Sequence, residues 1–509
     1  MKINKVKNMS LNVFTGFIYR IIQIVFPFII RTIIIKVLST EYLGLSSLFT
    51  SVLQALNLME VGLGSALVFN MYEHIAKDDK SKLGNYMAFY RKCYKYLGIA
   101  ILLMGLVLLP FIKNFITGSY PQDINIYVIY LIYLLNTVFS YLLFAYKNSI
   151  ALAYQRTDIE TKSLIISQTL MYIIQIFILF VYKNYTLYTI LIPVFTIVKN
   201  LIVSFYINKC FPDVKPHGDI TKAEKKVIVA NIKSLFGHQV AYTVINSADN
   251  IIISSLLGLS SLAIYNNYYY IMTAVVNIMT IIFNSIQAGI GNQIILDEEN
   301  KVFMNYKRFR TFVYMIVCIC SIIMFGVYQP FMKVWMGEEN LLPNYAALVF
   351  SIGFYITQTR RVITTYKNAA GLWREDILKP YLWIVLDIIL DFILIPKIGS
   401  IGAMIATSVS AIIVAIPVEI HILYKKIFNK KSIEQYQFMI KELMIYVLCI
   451  ILCCFGIKIL HSENNYVMLI YAIVVSTVTA GITTLLFKIK NEDFKWTMER
   501  MKVFIKNKE

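Results

Sequence analysis

Ser163-Leu-Ile-Ile-Ser-Gln-Thr-Leu-Met-Tyr-Ile-Ile-Gln-Ile-Phe-Ile-Leu-Phe-Val-Tyr182 contains no Asp, Glu, Lys, Arg or His. At a rise of ~1.5 Å per residue, a helix of this length crosses the ~30 Å hydrocarbon layer of a bilayer. Lys183 and Asn184 interrupt the run, and a second apolar block follows at 187–207. The pattern extends both ways. Upstream lie blocks at 9–37, 42–72, 85–112 and 124–146. Beyond a polar stretch at 208–234 come 235–258, 262–290, 307–328, 345–369, 379–396, 399–425, 438–460 and 466–487. Of the 509 residues 58% are hydrophobic and only 15% charged, against ~25% charged in soluble domains. No single soluble core buries so many bilayer-length blocks, so the chain reads as an all-α polytopic membrane protein with about fourteen transmembrane helices.

Lys2, Lys5 and Lys7 before an apolar run imitate a signal peptide. Arg20 and Arg31 break that run, however, and no small-residue cleavage site follows, so it is read as the first helix. Placing the N-terminus in the cytoplasm leaves only Lys36, Lys113, Lys183, Lys333, Lys397 and Lys458 in outer loops. Arg20, Arg31, Lys199, Arg360 and Arg361 fall within helices, and the rest of the 48 basic residues lie on the cytoplasmic side. The net charge of +19 is therefore a topology signal. Membrane lipids are expected partners and nucleic acid is not. The chain carries no HExxH, no Walker-type phosphate loop and no GxSxG, so neither ATP hydrolysis nor other catalysis is expected. No cofactor is expected either. The seven cysteines sit in or beside helices, as small thiols rather than disulfides or metal ligands.

The chain repeats itself weakly. Arg31-Thr-Ile-Ile-Ile followed by Tyr42-Leu-Gly-Leu-Ser-Ser corresponds to Asp249-Asn-Ile-Ile-Ile followed by Ser260-Ser-Leu-Ala-Ile-Tyr, six helices later. The longest polar stretch lies between the two copies. Six helices per half is an even number, so both halves insert in the same orientation, related by a pseudo-two-fold along the membrane normal with a cleft between them. The expected organisation is an N-terminal six-helix lobe (1–207), a cytoplasmic linker (208–234) and a C-terminal six-helix lobe (235–425). Two extra helices and a basic cytoplasmic tail (426–509) complete it.

Four stretches resemble a known family: Met59-Glu-Val-Gly-Leu-Gly-Ser-Ala66, Ala153-Tyr-Gln-Arg156, Thr365-Tyr-Lys-Asn-Ala-Ala-Gly371 and Leu394-Ile-Pro-Lys-Ile-Gly-Ser-Ile-Gly-Ala-Met-Ile-Ala-Thr407. In this order and at these helices, the chain is similar to the polysaccharide-transport branch of the multidrug/oligosaccharidyl-lipid/polysaccharide exporter superfamily. It departs from that pattern at Asp387 and Asp391, where neutral residues are expected. The resemblance implies a flippase in the bacterial inner membrane, and the placement of Lys and Arg over fourteen helices sets both termini in the cytoplasm. Such a flippase would move undecaprenyl-pyrophosphate-linked oligosaccharides from the inner to the outer leaflet for surface polysaccharide synthesis. The glycosyltransferases and polymerase of the same pathway are candidate partners.

Ten ionisable residues sit well within the expected helices, each costing ~2.5–3.5 kcal/mol at a bilayer centre, so they pair, snorkel or face water. Arg20 and Arg31, eleven residues apart, share a face of the first helix, and the Arg fork suits phosphate oxygens. Together with Arg360 and Arg361 they are the candidate head-group residues. Glu60, Asp249, Asp387 and Asp391 are the candidates for gating or ion coupling, with a proton or sodium ion as the coupling species. The repeat offset sets Arg31 against Asp249 as an outer gate. Lys199 and Glu419, near helix ends, read as snorkelling side chains. Tyr265 to Tyr270 read as an interfacial aromatic belt or a sugar-stacking surface.

Three alternatives stay open: a drug/cation antiporter, a peptidoglycan-precursor flippase and an integral-membrane polymerase or acyltransferase. The topology is testable by cysteine labelling in intact cells. Gly337→Cys and Glu463→Cys are expected to react with an impermeant reagent, and Gly218→Cys only after permeabilisation.

Overall fold

A computed structural model describes residues 5–57, 63–373, 375–460, 462–489, 491–496 and 499. All regular structure among them is helical: α1 (Lys5–Val37), α2 (Thr40–Leu56), α3 (Leu63–Ala76), α4 (Lys80–Leu108), α5 (Ile126–Leu142), α6 (Asn148–Ala153), α7 (Thr157–Val181), α8 (Tyr185–Cys210) and α9 (Lys222–Leu257). Then come α10 (Leu259–Leu296), α11 (Glu299–Met336), α12 (Ala346–Ala369), α13 (Lys379–Ile398), α14 (Ile401–Ser410), α15 (Ile416–Lys426), α16 (Ile433–Lys458) and α17 (Asn465–Ile489). Among the described residues nine helices are long and apolar enough to cross a membrane. The count is ten if α5 and α6, bent by 44°, form one span. The chain is a multi-pass membrane protein. Helices α12 and α13 fall short in apolarity because Arg360 and Arg361, and Lys379, Asp387 and Asp391, lie on them. Those side chains are buried or half-buried inside the protein, which takes their charge away from lipid.

The chain forms two compact units, Met1–Ala263 and Ile264–Glu509. In the first, α1 packs along α7, α5 sits between α4 and α8, and α9 packs on α2 and α3. The Ala153–Arg156 motif has a local explanation here. Gln155 adopts a left-handed φ of 58°. Its carbonyl accepts from Asn12 Nδ2 at 3.0 Å, while Asn12 Oδ1 accepts from the backbone N–H of Asp158 at 2.9 Å. One asparagine on α1 thus caps the turn into α7. Arg156 and Lys162 meet the buried Asp158 carboxylate at 2.7 and 3.0 Å.

The polar stretch after α8 is pinned to α4. Lys80 meets Asp213 at 2.7 Å, Lys82 meets Glu224 at 3.2 Å, and Lys92 meets Asp219 at 3.1 Å. The hydrogen bond from Lys225 to Asp219, aided by Lys92, holds that carboxyl at about 2 against the opposing effect of burial. Exposed pairs of this kind contribute little each. Steric fit adds specificity: a Cβ on Gly84 would lie 2.3 Å from the His217 ring and 2.5 Å from the Lys215 carbonyl.

In the second unit, α11 is the central element and packs against α12, α16 and α17. Buried Tyr446 of α16 stacks on Tyr355 of α12 with centroids 4.3 Å apart, and Ser321 of α11 shares a 2.8 Å hydrogen bond with the Tyr446 hydroxyl. The last helix pair is therefore built into this unit's core. The tyrosines expected as an interfacial belt also turn inward. Tyr265 and Tyr268 are 2% and 0% exposed and pack on Tyr328 and Phe350. The Leu394–Thr407 motif makes the tight turn between α13 and α14. Gly399 takes a φ of 75°, and a Cβ on Gly402 would lie 2.7 Å from the backbone of Leu394 and Ile395.

Gly84→Val is expected to push residues 211–221 off α4 at a cost of about 1–3 kcal/mol. Hydrogen–deuterium exchange in that segment should rise roughly tenfold, the equivalent of ~1.4 kcal/mol. Unchanged protection would show that the ion pairs alone hold it.

Candidate functional site

In the first unit, Arg31 on α1 is half-buried, whereas Arg20 is exposed and donates to Gln23 Oε1 at 3.4 Å. Asp249 on α9 is buried, and its neighbour Asn250 donates to Ser51 of α2 at 2.8 Å, fixing that stretch of α9 to α2. Glu60 lies outside the described residues. Lys199 does not snorkel. It lines a cavity of about 630 Å³ inside this unit, with Tyr72, Tyr90, Tyr94, Tyr141 and Glu160. The bend between α5 and α6 shapes the cavity: Phe144 adopts φ 59°, so the chain turns and brings Asn148 and Ser149 to the wall. Beside it, buried Lys147 donates to Ser204 at 2.7 Å and to Asn208 at 2.9 Å.

The second unit holds an ionic cluster. Glu419 on α15 is 0% exposed and accepts a bidentate pair of hydrogen bonds from Arg360 of α12, both 2.8 Å. Lys379 of α13 joins it at 2.5 Å and reaches Asp376 at 2.7 Å, and Lys367 of α12 also pairs with Asp376. Glu419 thus departs from the snorkelling expected of it. Three cations surround two fully buried carboxylate groups, and Glu419 faces two of the cations at once. Arg360 is committed to this cluster, and its guanidinium also stacks over Trp383 at 4.2 Å. Arg361, one residue on, points elsewhere, donating to Thr280 of α10 at 2.7 Å over the Phe283 ring. Consecutive helical residues diverge by ~100°, which separates the two arginines.

Trp383, under the Arg360 guanidinium, starts a short hydrogen-bond chain to Asp387 of α13. Trp383 Nε1 donates to Ser410 Oγ at 2.9 Å, and Ser410 Oγ donates to Asp387 at 2.8 Å. Asp387 and Asp391, one turn apart, are both 0% exposed. Ser410 immediately precedes a π-helical turn, Ala411–Ala415, an irregularity frequent at functional sites. A carboxylate pair with a serine hydroxyl offers oxygen ligands to a monovalent cation, or a seat for a proton.

Sequence reasoning missed Lys367, Asp376 and Lys379, because it counted the two lysines, at the ends of adjoining helices, among the cytoplasmic basic residues and left Asp376 between those helices. The Thr365–Gly371 motif held the clue, because it carries Lys367. It also missed Arg310, eleven residues into α11 and 2% exposed. Its guanidinium donates to Gln435 at 2.5 Å and stacks on Phe438 at 3.8 Å.

Two helical units with long apolar spans and charges gathered inside them define a multi-helix membrane transporter fold. The chain matches the family model "Polysaccharide biosynthesis protein" over residues 10–286, more than half its length, and it belongs to that family. Among solved structures, the lipid II flippase MurJ in an inward closed conformation superposes with a TM-score of 0.70 at 16% identity, covering 94% of this chain and 99% of its own. An inward-facing multidrug resistance MATE family transporter of the MOP superfamily gives 0.61 at 14% identity, covering 77% and 92%. A MOP superfamily transporter from Pyrococcus furiosus gives 0.55 at 14%, covering 84% and 97%. At these identities the likeness is one of fold. No curated protein sequence matches the chain.

Glu419→Gln leaves Arg360 and Lys379 buried with half their compensation. Breaking a buried ion pair costs about 3–5 kcal/mol, so thermal unfolding in detergent should shift clearly downward. An unchanged midpoint would mean that the cluster is hydrated.

Proposed function

We propose that the protein is a flippase that moves undecaprenyl-pyrophosphate-linked oligosaccharide repeat units from the inner to the outer leaflet of the bacterial cell membrane. It works by alternating access, without catalysis, with both termini in the cytoplasm. The observation that carries this reading is the extent of the fold match within a polysaccharide biosynthesis family. A flippase of a lipid-linked precursor covers 94% of the chain, which leaves too few residues for the α16–α17 pair to lie outside the match. The multidrug resistance transporter and the Pyrococcus furiosus MOP superfamily transporter cover 77% and 84%. Family membership favours an oligosaccharide over the peptidoglycan precursor as cargo.

In this reading Arg20 and Arg31 of the first unit receive the pyrophosphate, and the planar fork of arginine matches its oxygens; Arg361 is a head-group candidate within the second unit. Arg360 holds the lobe together through Glu419. Asp387 and Asp391 couple transport to a proton or sodium ion, with Ser410 orienting the first of them. Arg31 and Asp249 act as an outer gate that closes in the inward-open state and opens in the outward-open one, biasing the two by roughly 1–3 kcal/mol. The glycosyltransferases and polymerase of the same pathway supply and consume the cargo.

The test is reconstitution into proteoliposomes with a fluorescent undecaprenyl-pyrophosphate oligosaccharide, scored by outer-leaflet accessibility. The intact protein should speed translocation well above empty vesicles. Arg31→Ala should lower the rate at least tenfold, and Arg31→Lys by less. Arg31→Asp combined with Asp249→Arg should recover part of it. A wild-type rate equal to that of empty vesicles would sink the flippase reading. Failure of the charge swap alone would remove only the gate.

A further inference from the structure

The cavity of the first unit has a composition that the pyrophosphate does not need. Its aromatic side comes from Tyr72, Tyr90, Tyr94 and Tyr141. Tyr90 and Tyr94 stack with centroids 4.6 Å apart, the Tyr90 hydroxyl donates to that of Tyr94 at 3.1 Å, and Tyr141 lies 5.6 Å from Tyr94. Tyrosine offers an apolar face with a polar tip. Faces of that kind stack against the C–H surface of a sugar ring while hydroxyl and amide groups meet its oxygens. At about 630 Å³ the cavity lies in the ~300–1,000 Å³ range of small-molecule sites.

Two polar groups at the wall are incompletely used by the protein. Asn148 Nδ2 donates to Glu160, yet its buried Oδ1 has no hydrogen-bond partner among the described residues. Lys199 contributes an ammonium to the lining that makes no hydrogen bond or ion pair with any described residue. Glu160, the carboxylate on the same wall, accepts from Asn148 and attracts Lys199 from beyond ion-pair distance. Lys147, just behind the wall, is bonded to the neutral Ser204 and Asn208. An ammonium that touches no carboxylate directly keeps part of its attraction for an anion that enters the cavity.

We propose that this cavity binds a carbohydrate bearing an anionic substituent, a uronate carboxylate or a sugar phosphate. Lys199 meets the charge, Asn148 Oδ1 accepts from a ring hydroxyl, and the tyrosines stack on the sugar. The inference rests on the flippase reading and deepens it: the transported repeat unit contains an acidic sugar, selected within the first unit and apart from the arginines assigned to the pyrophosphate.

Binding to the full chain in lipid nanodiscs tests it, independently of translocation. The probes are a glucuronic acid-containing disaccharide and its galacturonic epimer, glucose 6-phosphate, cellobiose and inorganic phosphate. At least one acidic sugar should bind tenfold or more tightly than cellobiose. Lys199→Met should abolish that preference and Lys199→Arg should keep most of it. Tyr72→Ala, at a side chain 44% exposed, should weaken acidic and neutral sugars alike without unfolding the lobe. Absence of saturable sugar binding, or a preference intact in Lys199→Met, would overturn the proposal. Inorganic phosphate binding as tightly as the acidic sugars would overturn its carbohydrate part. A preference present in a protein that fails to translocate would count against the flippase reading alone, and translocation without the preference against this inference alone.

Discussion

The bidentate contact between Arg360 and Glu419 sets the conditions under which the second unit exists. Either charge alone would make its helix too costly to place away from water. Together with Lys379, Asp376 and Lys367 they become a closed cluster in which each carboxylate serves two cations. The cluster joins α12, the turn after it, α13 and α15, so three apolar helices are fastened by polar groups. In lipid the hydrophobic effect does not favour one helix neighbour over another. Polar contacts and close packing at small residues therefore carry the specificity that a soluble core obtains from burial.

The first unit solves the same problem differently. Its charges are dispersed: Asp158 is held by Arg156 and Lys162 at the turn into α7, and Lys147 is solvated by Ser204 and Asn208. Tyrosine hydroxyls supply further links, as where Tyr133 donates to Ser46 at 2.9 Å and Tyr185 to the Tyr42 carbonyl at 3.0 Å. The result is a lobe able to keep a polar cavity open between its helices, whereas the second unit's charged interior is filled by its own side chains.

The helices were legible in the sequence because hydrocarbon thickness imposes one length on every apolar block, and each expected block coincides with helix in the described residues. The destinations of individual side chains were not. Hydropathy locates Tyr265 and Tyr268 near a helix end but says nothing of Phe350 and Tyr328, which are distant in sequence and enclose them. Glu419 read as a side chain reaching for water because Lys367 and Lys379, at the ends of adjoining helices, were counted as cytoplasmic charges rather than as its partners. The stretch 208–234 read as a linker on composition alone. Its seat against Gly84 depends on the absence of a side chain there, which no pattern of polarity reveals. Arg20 and Arg31 were found readily as charges in an apolar run, but their different exposure comes from neighbours on other helices.

The π-helical turn at Ala411–Ala415 has a geometric effect on both polar centres of the second unit. Ser410 and Glu419 are nine residues apart, which in an uninterrupted α-helix sets them on opposite sides, about 180° from each other. A wide turn takes up about one residue's worth of rotation, reducing the divergence to about 80°. Both side chains can then address α13, Ser410 through Asp387 and Glu419 through Lys379. The irregularity acts as a phase shifter: straightening it into a regular helix at unchanged length would turn one of the two centres away from its partner.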